Sequence, residues 1–356
     1  MEPFTISAPG RVCLFGEHQD YLGLSVIPSA IDMRTSISCK NIDAEKDMIT
    51  IHAIDLGKTF QVPITGSYNL QDPEISYFEA VLTVFTKKKG HHDIEGFECE
   101  VSSQIPIKSG LSSSAALLVA WAGVINHISG TGYSRQEIGM IAYEAEHHVM
   151  GIPCGMMDQL SSSIGGIIHL ECIEPPAITT LDANLEGLVV ADTRIHKSTS
   201  QVHGRRVAET KAGLEHLGEL VKFDLKSTPW SKVEPFVKQL DQIERNRLIA
   251  VFKDRDITSK SLQLLQQANL DYNTIGALLT EHQKYLREYF EVSVEKIDTI
   301  IEAAISAGAQ GGKLTGAGLG GSIVLLAKGC EDQVCKAVAE VDGRPYKVEV
   351  DTGVSK

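Results

Sequence analysis

Near residue 112 the hydrophobic pattern of this chain changes period. Before it, apolar residues fall into short runs of strand length at 4–8, 11–15, 35–39, 48–53, 59–62 and 97–101, with one amphipathic helix predicted over 76–87. Beyond Ser112 the helical spacing takes over: helices are expected at 114–127 and 136–150, followed by strands near 166–170 and 188–191. The second half is predicted helical over 198–217, 233–251, 259–267, 275–289 and 294–306. A strand, glycine loop and strand at 310–326, a helix at 331–341 and a strand at 346–350 complete it. Strands and helices mix without the strict alternation of a doubly wound sheet, so the expected class is α+β in two halves, residues 1–185 and 186–356.

Composition narrows the partners. A chain of 356 residues buries a full core without disulfides or a structural metal. Its 33 Lys+Arg against 46 Asp+Glu give a formal charge of −13, which repels phosphate backbones and anionic lipids. The densest cationic run is only Lys87-Lys88-Lys89, so neither a nucleic-acid nor a membrane partner is expected. No apolar run reaches the roughly 18–20 residues that span a bilayer, and Met1-Glu2-Pro3-Phe4 is not the basic start of a signal peptide. A cytoplasmic protein is expected, and nothing suggests an obligate protein partner. The seven cysteines are scattered and contain no C-x-x-C, which argues for buried thiols in a reducing compartment.

Four stretches carry chemistry. Arg11 begins a strand whose exit holds Glu17, His18 and Asp20, either a donor and acceptor set for a polyhydroxylated ligand or a capped, solvated turn. Ser109-Gly110-Leu111-Ser112-Ser113-Ser114-Ala115-Ala116 opens a helix with small residues. That leaves backbone N–H groups at its positive end for a phosphate, unless it is simply a serine-capped, closely packed helix. It is not a Walker A loop, since G-x-x-x-x-G-K-[ST] occurs nowhere in the chain. Gly316-Ala317-Gly318-Leu319-Gly320-Gly321 matches G-x-G-x-x-G but leads into a strand, which excludes a dinucleotide fingerprint. It leaves a hairpin whose backbone closely approaches a neighbouring element or a ligand. In the fourth, Glu146 flanks the apolar stripe Ile138, Ile141, Ala142, Ala145, Val149, and Asp158 follows Pro153 and Gly155 as a helix cap or a functional acid. His147 and His148 diverge by about 100° on a helix, which disfavours zinc.

Taken in this order, the four stretches resemble the GHMP small-molecule kinases, and among them the galactokinase branch. Residues 10–21 look like the signature G-R-V-N-L-I-G-E-H-T-D-Y, and 106–116 like the phosphate loop P-x-x-x-G-L-S-S-S-A. Cys154-Gly155-Met156-Met157-Asp158-Gln159 is similar to C-G-I-M-D-Q, and 315–321 to T-G-A-G-F-G-G. Weaker likenesses at Asp192-Thr193, Arg205-Arg206 and 291–298 extend the resemblance over nearly the whole chain. It implies a ribosomal-protein-S5-domain-2-like N-terminal half and a ferredoxin-like C-terminal half, with the active site between them. It also implies phosphoryl transfer from ATP, with Mg2+, to a sugar hydroxyl, the anomeric one in galactokinases.

By motif position the resemblance assigns Asp158 to take the hydroxyl proton and Arg11 to stand beside it. Glu17, His18, Asp20 and Gly155, with Asp158, correspond to the sugar binders. Gly110, Leu111, Ser112, Ser113, Ser114 and Ala115 would hold the phosphates, with Lys108 and with Gly318 of the third loop. Glu146 and Ser114 correspond to magnesium ligands. The sequence departs from the family at Val202, where the family has the pocket tyrosine, at Gln19 and Leu22, and at Glu74, where an adenine-side aromatic is expected. The acceptor therefore stays open between galactose and another sugar or uronic acid such as arabinose, galacturonate or N-acetylgalactosamine. Mevalonate, or a non-catalytic sugar sensor, is the more distant alternative.

Overall fold

One long central strand organises the N-terminal half. In the computed structural model, which describes residues 2–43, 47–64, 68, 70–72, 74–91, 94–107, 109–195 and 200–356, β1 (Phe4–Phe15) pairs antiparallel with β2 (Ser25–Asp43). The two runs expected at 4–8 and 11–15 are a single strand. Pro9 and Gly10 shift the register there, and a bulge bends a strand without ending it. β2 is far longer than the expected 35–39, because Ile27, Ala30 and Ile31 are completely buried and alternation fades in a strand covered on both faces. β3 (Met48–Ala53), β4 (Lys58–Pro63), β5 (Gly96–Ser103), β6 (Ile167–Glu171) and β7 (Ala177–Leu181) complete a sheet of order β4-β3-β5-β2-β6-β7, with β1 on β2. β7 escaped prediction because its Ala-Ile-Thr-Thr-Leu is largely exposed at the sheet edge.

Helices α1 (Ser76–Thr83), α2 (Ser113–Ser129), α3 (Arg135–Tyr143) and α4 (Met157–Ile164) accompany this sheet. Phe4, Ile37, Ile51, Phe97, Trp121 and Ile141 share its core, and the buried Trp121 Nε1 donates to the Phe78 carbonyl at 3.1 Å. α1 and α3 each continue into a π-helical turn, Val84–Lys88 and Glu144–Val149, where single longer α-helices were expected.

In the C-terminal half, β8 (Leu188–Asp192), β9 (Gly311–Thr315), β10 (Ser322–Leu326) and β11 (Arg344–Val348) form an antiparallel sheet of order β11-β8-β10-β9. Around it lie α5 (Ser200–Leu220), α6 (Trp230–Val237), α7 (Gln242–Leu265), α8 (Tyr272–Glu288), α9 (Glu295–Ser306) and α10 (Glu331–Glu340). The helices expected at 233–251 and 259–267 are divided differently. Asp241 caps α7 by accepting from the Ile243 and Glu244 amides at 2.8 and 3.0 Å, and α7 then runs unbroken for 24 residues.

Both halves contribute to one junction core, in which Val12, Phe15 and Ile27 meet Leu188, Val190, Ile257 and Val324. The last residues return to the first sheet through the bridges Ile31–Val350, Gly165–Thr352 and Ser7–Ser355. All seven cysteines are free: Cys13, Cys39, Cys99 and Cys172 are buried as expected, and Cys154, Cys330 and Cys335 are half-buried. No helix among the described residues is long and apolar enough to cross a membrane.

Candidate active site

The exit of β1 delivers three polar residues to the junction. Glu17 is 3% exposed and His18 4%. Glu17 Oε2 pairs with the completely buried Lys313 at 2.9 Å, and the same ammonium donates to the carbonyls of Cys13 and Leu314 at 2.8 and 2.7 Å. His18 stacks on Phe290 with ring centroids 5.1 Å apart. Asp20 opens a short 3-10 turn and lies against Gly155, where a Cβ would stand 1.8 Å from Asp20 Oδ2. Only glycine leaves that carboxylate its place. Burial, and then the charge of Asp158, push the Asp20 carboxyl up to about 7.

The small-residue loop reaches the same junction from the other side. Ser112 takes a left-handed conformation at the start of α2 and makes no capping bond, so the N–H groups of the first turn keep no side-chain partner. Its hydroxyl instead donates to Asp158 Oδ2 at 2.6 Å. Gly110, at φ +79°, lies so close to the β9–β10 loop that a Cβ would stand 2.8 Å from the Thr315 carbonyl. Leu111 buries its side chain in the junction core, its carbonyl accepts from the Arg11 amide at 3.2 Å, and Ala115 is fully buried. Ser113 and Ser114 are half-buried on the first turn. Lys108 lies outside the described residues. Gly318 packs against the Val292 carbonyl, and its neighbours Gly316 and Ala317 line the cavity described below.

Asp158 joins the two sides from the first turn of α4. Arg11 Nε and Nη2 both donate to its Oδ1 at 2.8 Å, and Arg11 Nη1 donates to the Gly110 carbonyl at 2.7 Å. Burial opposes the charge on Arg11, but Asp158 and Glu17 outweigh it, and its pKa rises. Glu146, carried inward by the π-helical turn, is buried, accepts from Gln159 Nε2 at 2.6 Å and is hydrogen-bonded by Ser114. Burial, then the Asp158 charge, push its carboxyl up to about 7. His147 stacks on Tyr143 and His148 meets both rings edge-on, and among the described residues no three His, Cys, Asp or Glu side chains converge on a metal position.

The resulting cavity of about 240 Å3 is lined by Arg11, Glu17, His18, Asp20, Cys154 and Asp158, with Gly155 and Met157 between them. Every sequence-predicted sugar residue is therefore in one place. Sequence reasoning gave no role to Lys313 and did not foresee the bonds Ser112–Asp158 and Gln159–Glu146. A lone lysine inside the otherwise uncharged run Gly311-Gly312-Lys313-Leu314-Thr315 was the available signal for the first.

Known families match three stretches of the chain. Residues 76–166 match the GHMP kinases N terminal domain, 261–341 match GHMP kinases C terminal, and 1–41 match the galactokinase galactose-binding signature. The chain belongs to the GHMP kinases. Among its relatives in that family, a galactokinase of Streptomyces coelicolor is 29% identical over 94% of this chain and 87% of its own length. One from Thermotoga petrophila is 28% identical over 99% of both. The fold is that of Lactococcus lactis galactokinase complexed with galactose, at a TM-score of 0.88 and 23% identity, covering 100% of this chain and 95% of that one. Methanococcus jannaschii mevalonate kinase superposes at a TM-score of 0.76 and 20% identity, covering 99% of both. The α+β two-half class is thus that of the GHMP kinase fold.

Proposed function

We propose that this GHMP kinase transfers the γ-phosphoryl group of ATP to the anomeric hydroxyl of galactose. The observation that carries this reading is the position of Asp158: one oxygen on Arg11 beside the sugar-type residues, the other on Ser112 at the start of α2. A hydroxyl held by Glu17, His18 and Asp20 next to Asp158 would lie beside the terminus that receives the phosphates. Phosphoryl transfer asks a protein mainly for such positioning and for charge neutralisation. Asp158 takes the proton of the accepting hydroxyl, and Arg11 offsets charge on the transferring group. The amides from Gly110 to Ala115, at the start of α2, receive the phosphate oxygens.

Glu146 and the Ser114 hydroxyl suit Mg2+, a hard ion that takes oxygen ligands and keeps several waters. Its charge would neutralise phosphate oxygens, and it would relieve the repulsion that Asp158 imposes on Glu146. With no complete protein cage among the described residues, the ion would arrive with the nucleotide. The negative charge of the chain and the free thiols fit a cytoplasmic setting. The division at residue 185 is kept as the boundary between the two family domains.

The acceptor question also has a physical answer. The described lining residues include the carboxyl groups Glu17, Asp20 and Asp158 against one cation, Arg11, whose guanidinium is already spent on Asp158 and the Gly110 carbonyl. Arg194, just beyond β8, pairs with the exposed Asp342 at 3.0 Å. A neutral sugar is favoured over an anionic acceptor. ADP release with Mg-ATP across galactose, N-acetylgalactosamine, arabinose, galacturonate, glucuronate and mevalonate tests this. We expect kcat/KM for galactose to exceed that for each acid by at least about 100-fold, as a desolvated unpaired charge demands. Preferential turnover of a uronic acid or of mevalonate would contradict it.

A further inference from the structure

β9 is buried along its whole length, and Lys313 is its one charged residue. All three ammonium protons are used: on the Cys13 carbonyl of β1, on the Leu314 carbonyl and on Glu17 Oε2. Behind it, Asp254 of α7 and His282 of α8 are both completely buried, with Nε2 and Oδ2 3.6 Å apart. Burial drives the Asp254 carboxyl and the Cys13 thiol up and the His282 imidazole down, disfavouring the charged form of each. On the pocket side, Arg11, His18, Asp20, Cys154 and Asp158 are the other charged or titratable groups that line the cavity with Glu17. The counter-charge that touches Lys313 is therefore Glu17.

Glu17 at the same time lines the sugar cavity, and its only hydrogen bond among the described residues is the one to Lys313. A carboxylate clamped by one oxygen has few rotamers left to it. We propose that Lys313 is a positioning residue for the acceptor: it anchors Oε2 of Glu17 behind the pocket wall and aims Oε1 at a sugar hydroxyl. This rests on the sugar-kinase reading above. The lysine touches no substrate; it acts through Glu17.

The test is steady-state kinetics of the full chain with galactose and Mg-ATP. Lys313→Met keeps the aliphatic stem and removes the charge. It should raise the galactose KM at least about tenfold, the size of one charge-assisted hydrogen bond, while kcat and the ATP KM stay within about threefold. Lys313→Arg, which also bridges the Cys13 carbonyl and Glu17, should recover most of the sugar affinity. Because a lone Glu17 could unfold the junction, the double variant Lys313→Met/Glu17→Gln removes both charges together. It should show a galactose KM at least as high as that of Lys313→Met, and no more than about threefold above it, since both act on one contact. A galactose KM within twofold of wild type in Lys313→Met or in the double variant overturns the proposal while leaving the sugar-kinase reading intact. So does an equal rise in both KM values. Failure of the wild-type chain to phosphorylate galactose overturns the reading itself and this inference with it.

Discussion

Asp158, Glu146 and Asp20 crowd three carboxyl groups around one junction, and two of them carry raised pKa values near 7. For Glu146 the sign of the linkage is definite. The folded chain binds that proton more tightly than the unfolded chain, so stability falls as pH rises from about 4.5 towards 7 and stays low above it. Glu146→Gln should therefore raise unfolding stability by on the order of 3 kcal/mol at pH 8 and by almost nothing at pH 4, measured by urea denaturation without nucleotide. The same variant should lose the pH-dependence of the magnesium requirement. A stability gain independent of pH would contradict the assignment. Both carboxylates were legible in the sequence, because a Glu on the flank of an apolar helix and an Asp after Pro153 and Gly155 stand out from their surroundings. Lys313 was not, because its significance lies in a partner 296 residues away. Ser112 was read as a phosphate contact, and its hydroxyl points to Asp158, which no local spacing reveals.

At the level of elements, the two glycine loops prove to be one construction. Gly110 and Gly316 approach each other's backbones, so the hairpin of β9 and β10 supports the phosphate-type loop, and the close approach read from its glycines is to a neighbouring element. Gly110→Ala places a methyl 2.8 Å from the Thr315 carbonyl at a positive φ, so the loop must shift. We expect the ATP KM to rise at least about tenfold and stability to drop by about 1–3 kcal/mol, with a smaller change in the galactose KM. Unchanged ATP kinetics in a folded variant would separate that loop from the nucleotide. Elements with regular alternation were readable to the residue, as β3 at 48–53 illustrates. Where burial on both faces removed the alternation, as in β2, or a cap divided a helical run, as at Asp241, periodicity alone misplaced the boundaries.

For the whole molecule, the candidate active site exists because the halves share a core. β1 supplies Arg11 and its exit Glu17, while β9 supplies Lys313 and Thr315, whose hydroxyl accepts from the Cys13 amide at 2.9 Å. The returning tail is held by Arg34 of β2, which donates to Asp351 at 2.5 Å and to the Thr352 and Gly353 carbonyls at 3.1 and 3.0 Å. Ordered motifs announced which loops would meet, but the shared core and the tail return depend on contacts between residues too distant in sequence for any pattern to register. The central claim is that Asp158 stands between sugar and phosphate and moves the hydroxyl proton. Its most direct test compares ADP release by wild type and Asp158→Asn with galactose and Mg-ATP, alongside calorimetric ATP binding. The account predicts a kcat at least about 100-fold lower with ATP affinity near wild type. Activity within tenfold of wild type would remove Asp158 from that role.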